Sequence, residues 1–101
     1  MSDVHVLLGL VIEQAKGICL AVHERDYYQF ALRTALLIKA HGRLIRECPE
    51  THRFANRISQ EIRDKLNLFA EKIGGAYFPD SASSTEEFKS LERAVARNKE
   101  F

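Results

Sequence analysis

The chain has no tryptophan, only two cysteines and only two prolines in 101 residues, and each shortage closes off a class. Cys19 and Cys48 are too few for a disulfide framework and lack the spacing of a metal site. They are expected to be reduced, semi-buried thiols. With five glycines and two prolines, the chain is neither collagen-like nor of low complexity. It also lacks an excess of either charge. Fifteen Lys+Arg against 14 Asp+Glu leave a net charge of +1, which excludes a strongly basic nucleic-acid binder or an acidic mimic by bulk charge and leaves only local patches. There is no alternating strand pattern and no internal repeat. No P-loop, dinucleotide-binding glycine fingerprint, HExxH, CxxC or nucleophile elbow occurs. What is present, 46% hydrophobic and 29% charged residues, is the composition of an ordinary globular chain. The length sets the expectation of one domain over residues 1–101, with a single core.

The longest apolar stretch, Val4 to Val22, has an acidic rather than a basic leader. Asp3 precedes it, and Glu13, Gln14 and Lys16 interrupt it. A signal segment needs a basic start and an unbroken apolar middle, and a spanning helix needs about 20 apolar residues. The expectation is a soluble, cytoplasmic chain with no membrane partner. Within that stretch Val4, Leu7, Leu8, Val11, Ile12, Ala15, Ile18, Cys19 and Val22 recur at helical spacing. Val6, Leu10, Leu20 and Ala21 add a second apolar strip. A helix this apolar has to be covered on more than one side. Gly9 and Gly17 each cost about 1 kcal/mol relative to alanine in a helix, and they are candidate points of close helix approach.

Asp26-Tyr27-Tyr28-Gln29 reads as a capping box that opens a second helix. Its expected inner face runs Tyr27, Phe30, Ala31, Thr34, Leu37, Ile38, His41, Leu44 and Ile45, and it ends near Glu47 because Pro49 disfavours helical geometry at Cys48. A third helix is expected from about Pro49 to Thr51 onward. Its stripe is Phe54, Ile58, Ile62, Leu66, Phe69 and Ile73, with Ala55 and Ala70 beside it, and Glu61–Lys65 is a favourable four-apart pair. Gly74-Gly75 is the expected terminator. Ser84-Thr85-Glu86-Glu87 is a second capping box, opening a short helix with Phe88, Leu91, Ala94 and Val95 inward. The fold class is therefore all-α: a small helical bundle of three long helices plus a short C-terminal one. The first helix offers more apolar surface than its neighbours cover, so a homodimer built on that helix is expected.

Chemistry is harder to find. None of His5, His23, His41 and His52 has a second histidine or carboxylate at ligand spacing on one helix face, so no metal or other cofactor is expected. The segment Arg46-Glu47-Cys48-Pro49-Glu50-Thr51-His52 resembles the Arg-x(4–6)-His motif of HEPN-type ribonucleases, which are dimeric helical bundles. The resemblance, seven residues long, implies an arginine holding a phosphate and a histidine assisting proton transfer. Pro49 interrupts the helix between the two. Arginines also flank this corner: Arg43 and Arg46 before Pro49, Arg53 and Arg57 after it. The first two suit the negative end of their helix. The second two lie in the first turns of theirs, where positive charge is unfavourable, so they invite Glu50, Glu61, Asp64 or an acidic partner. Tyr77 and Phe78 beside Pro79 either pin their loop to the bundle or anchor a partner.

The function expected from these residues is a non-enzymatic, protein-binding regulator that masks a target protein through an apolar helix face. Val6 and Leu10 supply the contact, Arg43, Arg46, Arg53 and Arg57 the steering, and Tyr77 and Phe78 a further anchor. The alternative is a nucleic-acid binder or HEPN-like ribonuclease using Arg43, Arg46, His52 and Arg53.

Overall fold

The computed structural model describes residues 4–48, 52–73 and 78–98. Across these the chain is all-α: α1 (Val4–His23), α2 (Tyr27–Glu47), α3 (Arg53–Ile73) and α4 (Glu86–Asn98), with a 3-10 turn at Ala82–Ser84 before α4. Helices of 20 or 21 residues are about 30 Å long, and the molecule measures 43 × 22 × 20 Å. Pro49 to Thr51, Gly74-Gly75 and Tyr77 lie outside the described residues, so the expected third-helix start and its glycine terminator do too.

The turn between α1 and α2 contains no glycine, yet it forms a full C-terminal cap. The Arg25 N–H donates to Val22 O at 3.2 Å and the Asp26 N–H to Ala21 O at 2.9 Å, the two bonds of a Schellman motif. Arg25 takes the left-handed conformation this needs, with φ 57°, at a steric cost of about 1–2 kcal/mol. The next residue starts α2 as expected: Asp26 Oδ1 accepts from the Gln29 N–H at 3.0 Å. The α1–α2 hairpin is thus fixed by a cap running directly into a cap.

α4 starts one residue later than its sequence box suggests. Thr85, not Ser84, is the cap, its hydroxyl oxygen accepting from the Phe88 N–H at 3.1 Å. The Ser84 hydroxyl instead donates to Ser81 O inside the 3-10 turn. α4 runs antiparallel to α3, with Phe88 against Phe69 at a ring separation of 5.2 Å and Arg97 bonded to Glu61. Glu61 is therefore taken by α4 and does not form the expected pair with Lys65.

The core contains the expected first stripe of α1, except that Cys19 is half-buried against it, and all four inward residues of α4. Leu8, Val11, Ile18, Leu37, Leu44, Ile62, Leu66, Phe69, Phe88 and Leu91 are sealed from solvent, each worth about 1.5–3 kcal/mol relative to exposure. Two expected stripes are corrected by one position or more. On α3, Ala55 is buried and Phe54 is 59% exposed, because the sealed row 55–58–62–66–69–73 turns Phe54 off its edge. On α2 the inner face narrows to Phe30, Leu37, Ala40, His41 and Leu44. Tyr27, Ala31, Ile38 and Ile45 face outward or sit at the rim. Of the two α1 glycines, Gly17 marks a close approach, since a Cβ there would meet the Arg33 side chain at 3.1 Å, while Gly9 faces open space.

Candidate partner-docking surface

α1 and α2 form the most extensively packed pair of helices, and their outer side is apolar. Val6 and Leu10 of the second α1 strip are 56% and 42% exposed, and Leu20 is exposed with them. The strip's fourth member, Ala21, is buried. α2 adds Leu32 and Leu36, one helical turn apart, both exposed. Leu10 and Leu36 meet across the helix pair in a hollow of about 240 Å³, whose wall also includes Leu7, Gln14, Lys39 and Arg43. Further along the same pair, Gly17, Leu20, Gln29 and Arg33 line a second, smaller hollow. Between the two, Arg33 Nη1 donates to Gln14 Oε1 at 3.0 Å and bridges the helices across Gly17.

The four arginines do not gather at one point. Arg43 joins the α1–α2 hollow, and its Nε donates to Glu47 Oε2 at 3.2 Å in an exposed four-apart pair. Such a pair is worth a few tenths of a kcal/mol. Arg46 lies along its own helix beside Gly42. Arg53 and Arg57 line a separate, wide hollow on α3 of about 560 Å³, together with Asn56 and Gln60. Of the carboxylates that sequence offered them, Glu61 is bonded to Arg97 and Asp64 accepts from Gln60 at 2.8 Å. Arg57 makes no ion pair among the described residues. Its charge stands in the second turn of α3, and Glu50, the third carboxylate that sequence offered it, lies outside the described residues.

His52 and Arg46, the pair behind the ribonuclease resemblance, make no hydrogen bond or ion pair with each other. The His52 ring stands edge-on to His5 at 5.9 Å, tying the start of α1 to the start of α3. His52 O accepts from Cys48 Sγ at 3.0 Å. His23 contacts Glu92 at 2.7 Å and packs against Phe88. Among the described residues no three His, Cys, Asp or Glu side chains gather as metal ligands would. Cys19 is no nucleophile at neutral pH, because burial first and the nearby Glu92 charge second push its thiol up to about 12.

Phe78 is half-buried, its ring 5.4 Å from Phe30 and 6.2 Å from Tyr27. It holds its segment to the aromatic end of the bundle, the pinning arrangement of the two that sequence offered. Sequence reading missed Leu32 and Leu36. Their four-residue spacing was visible, but they fall outside the stripe that Phe30, Leu37 and Leu44 define, and off-stripe leucines are ordinary on helices. His41, expected on the inner face of α2, is sealed in the core; what sequence reading missed is its contact with α3, where its Nδ1 lies 2.9 Å from Arg63 Nη1.

Compared with protein families, curated proteins and solved structures, the chain matches none.

Proposed function

We propose that this chain is a non-enzymatic, cytoplasmic protein-binding regulator that masks an apolar surface of a target protein with the outer face of α1 and α2. The observation that carries this reading is that Leu10 and Leu36 share one hollow on the outside of the α1–α2 pair, with Val6 and Leu32 exposed one turn away on the same helices. A two-helix face about 30 Å long and about 20 Å wide approaches the ~800 Å² that each partner of a stable complex buries. Lys39, Arg43 and Arg46 at its edge favour an acidic rim on the target and speed encounter. Without its target, the face is covered by a second copy of the chain, giving a homodimer that the target displaces.

The test is an affinity capture from lysate of the source organism, split into nuclease-treated and untreated halves and run beside the Leu10→Glu, Leu36→Glu double variant. One protein retained in near-stoichiometric amount by the wild type after nuclease, and lost by the variant, is the expected result. Material lost on nuclease treatment sinks the reading in favour of its rival.

That rival is nucleic-acid binding, and one observation favours it: the arginine- and amide-lined hollow of Arg53, Asn56, Arg57 and Gln60 on α3. Guanidinium and amide donors suit phosphate oxygens. It predicts salt-sensitive binding of RNA or DNA that Arg53→Ala with Arg57→Ala removes. Cleavage of RNA that depends on both Arg46 and His52 would identify the ribonuclease form.

A further inference from the structure

Where α2 meets α3, the core is polar. His41 on α2 is sealed from solvent, and so is Ser59 on α3. Arginine can only donate a hydrogen bond, so the 2.9 Å contact from Arg63 Nη1 makes His41 Nδ1 an acceptor and puts the ring hydrogen on Nε2. That Nε2 finds no hydrogen-bond partner, and neither does the buried hydroxyl of Thr34, two turns earlier on the same side of α2. Two orphaned polar atoms in one seam are uncommon in a packed core. They sit between the α1–α2 hairpin and the α3–α4 hairpin, along an α2–α3 seam that is less extensively packed than the helix pair within either hairpin.

We propose that the His41–Arg63 contact is an acid-released latch: a proton taken up at His41 Nδ1 ejects the Arg63 guanidinium and loosens α3 and α4 from the α1–α2 hairpin. The chemistry follows from the geometry. A protonated Nδ1 has no lone pair left for Arg63, so acceptor and donor become two donors and two cations in contact. Among the described residues no carboxylate hydrogen-bonds to the ring to offset them. The groups acting on it come from α3: Arg63 opposes the charge, while Gln60, and after it Asp64, favour it. Asp64 is exposed and accepts from Gln60, so its compensation is screened by solvent.

The balance lies on the neutral side. Burial first and Arg63 second hold the His41 pKa below the ordinary 6.5. The unfolded or opened chain takes up its proton at the ordinary value, so the closed form is at full strength above about 6.5 and weakens as pH falls through that value toward the lower, folded one.

The full-length protein, labelled with ¹⁵N and ¹³C, allows a direct test by NMR between pH 7.5 and 5. The readouts are the His41 ring titration and amide exchange, corrected for its intrinsic pH dependence. In the wild type, amides of α2 and α3 along the seam are expected to lose at least tenfold in protection at pH 5, with those between α1 and α2 changing less. Arg63→Gln should raise the ring pKa and shrink that loss, and His41→Gln should abolish it. Protection constant within twofold in the wild type, or an acid loss that persists unchanged in Arg63→Gln, overturns the latch. Should His41→Gln fail to fold, the wild-type ring decides: titration at the ordinary value with no change in exchange also overturns it.

Discussion

The two hairpins, one of two long helices and one of a long helix with the 13-residue α4, follow opposite economies. α3 and α4 are strongly amphipathic, and nearly every large apolar side chain they carry is inside; Phe54 and Leu68 are the exposed exceptions among the described residues. α1 and α2 bury one stripe each and still leave Val6, Leu10, Leu20, Leu32, Leu36, Ile38 and Ile45 exposed. The α3–α4 hairpin closes the core, whereas the α1–α2 hairpin supplies one side of the core and keeps apolar surface in reserve. Apolar surface has the same affinity for cover wherever it lies. What separates fold from docking is which stripe the neighbouring helix reaches.

The sharpest way to break this comparison is to truncate one residue of each kind. Phe69 is sealed between Phe30 and Phe88 at ring distances of 5.8 and 5.2 Å. Phe69→Ala should cost about 3–5 kcal/mol, read as a shift of the urea midpoint. Leu36→Ala, measured on dilute monomer, should stay within about 0.5 kcal/mol. A comparable loss for Leu36→Ala would make the outer face part of the fold and remove the distinction.

A second prediction concerns association. Leu10→Glu combined with Leu36→Glu should weaken self-association by at least about 30-fold, or about 2 kcal/mol, while the helical circular-dichroism signal is unchanged. Sedimentation equilibrium reads the change, and a wild type that stays monomeric at high concentration would confine the face to a heterologous target.

The caps give smaller effects. Thr85→Ala removes the acceptor for the Phe88 N–H and should cost about 1 kcal/mol, whereas Ser84→Ala should cost markedly less. Equal losses would return the cap to Ser84. Smallest of all, and opposite in sign, Arg25→Gly relieves the left-handed backbone of the α1–α2 turn. It should stabilise by roughly 0.5–1 kcal/mol, less whatever the exposed Arg25–Asp80 pair contributes. A melting temperature that falls on this change would show that the pair outweighs the strain.

How much was legible beforehand depended on the range of the interaction. The Asp26 cap, the inward residues of α4 and the surplus apolar strip of α1 were readable, because each is written in residues a few positions apart. The α4 cap was misplaced by one residue because Ser84 and Thr85 are chemically equivalent acceptors, and only the 3-10 turn before them chooses between the two. Phe54 and Ile45 were assigned inward on helical phase alone. Phase fixes relative positions on a helix, not the angle at which it is rotated toward its neighbours.

The sequence by itself determined that the described residues form an all-α fold and that the first helix carries more apolar surface than its neighbours cover. Both follow from hydrogen bonding and side-chain spacing within a single helix. Tertiary structure alone decided the rest, since it depends on contacts between residues far apart in the chain. It placed Leu36 beside Leu10, divided Arg43 from Arg53 and Arg57 between two hollows, and set Arg63 against a histidine that sequence reading had placed inward without a partner. Burial and charge act through space, and no spacing along the chain records which distant side chain a folded helix will face.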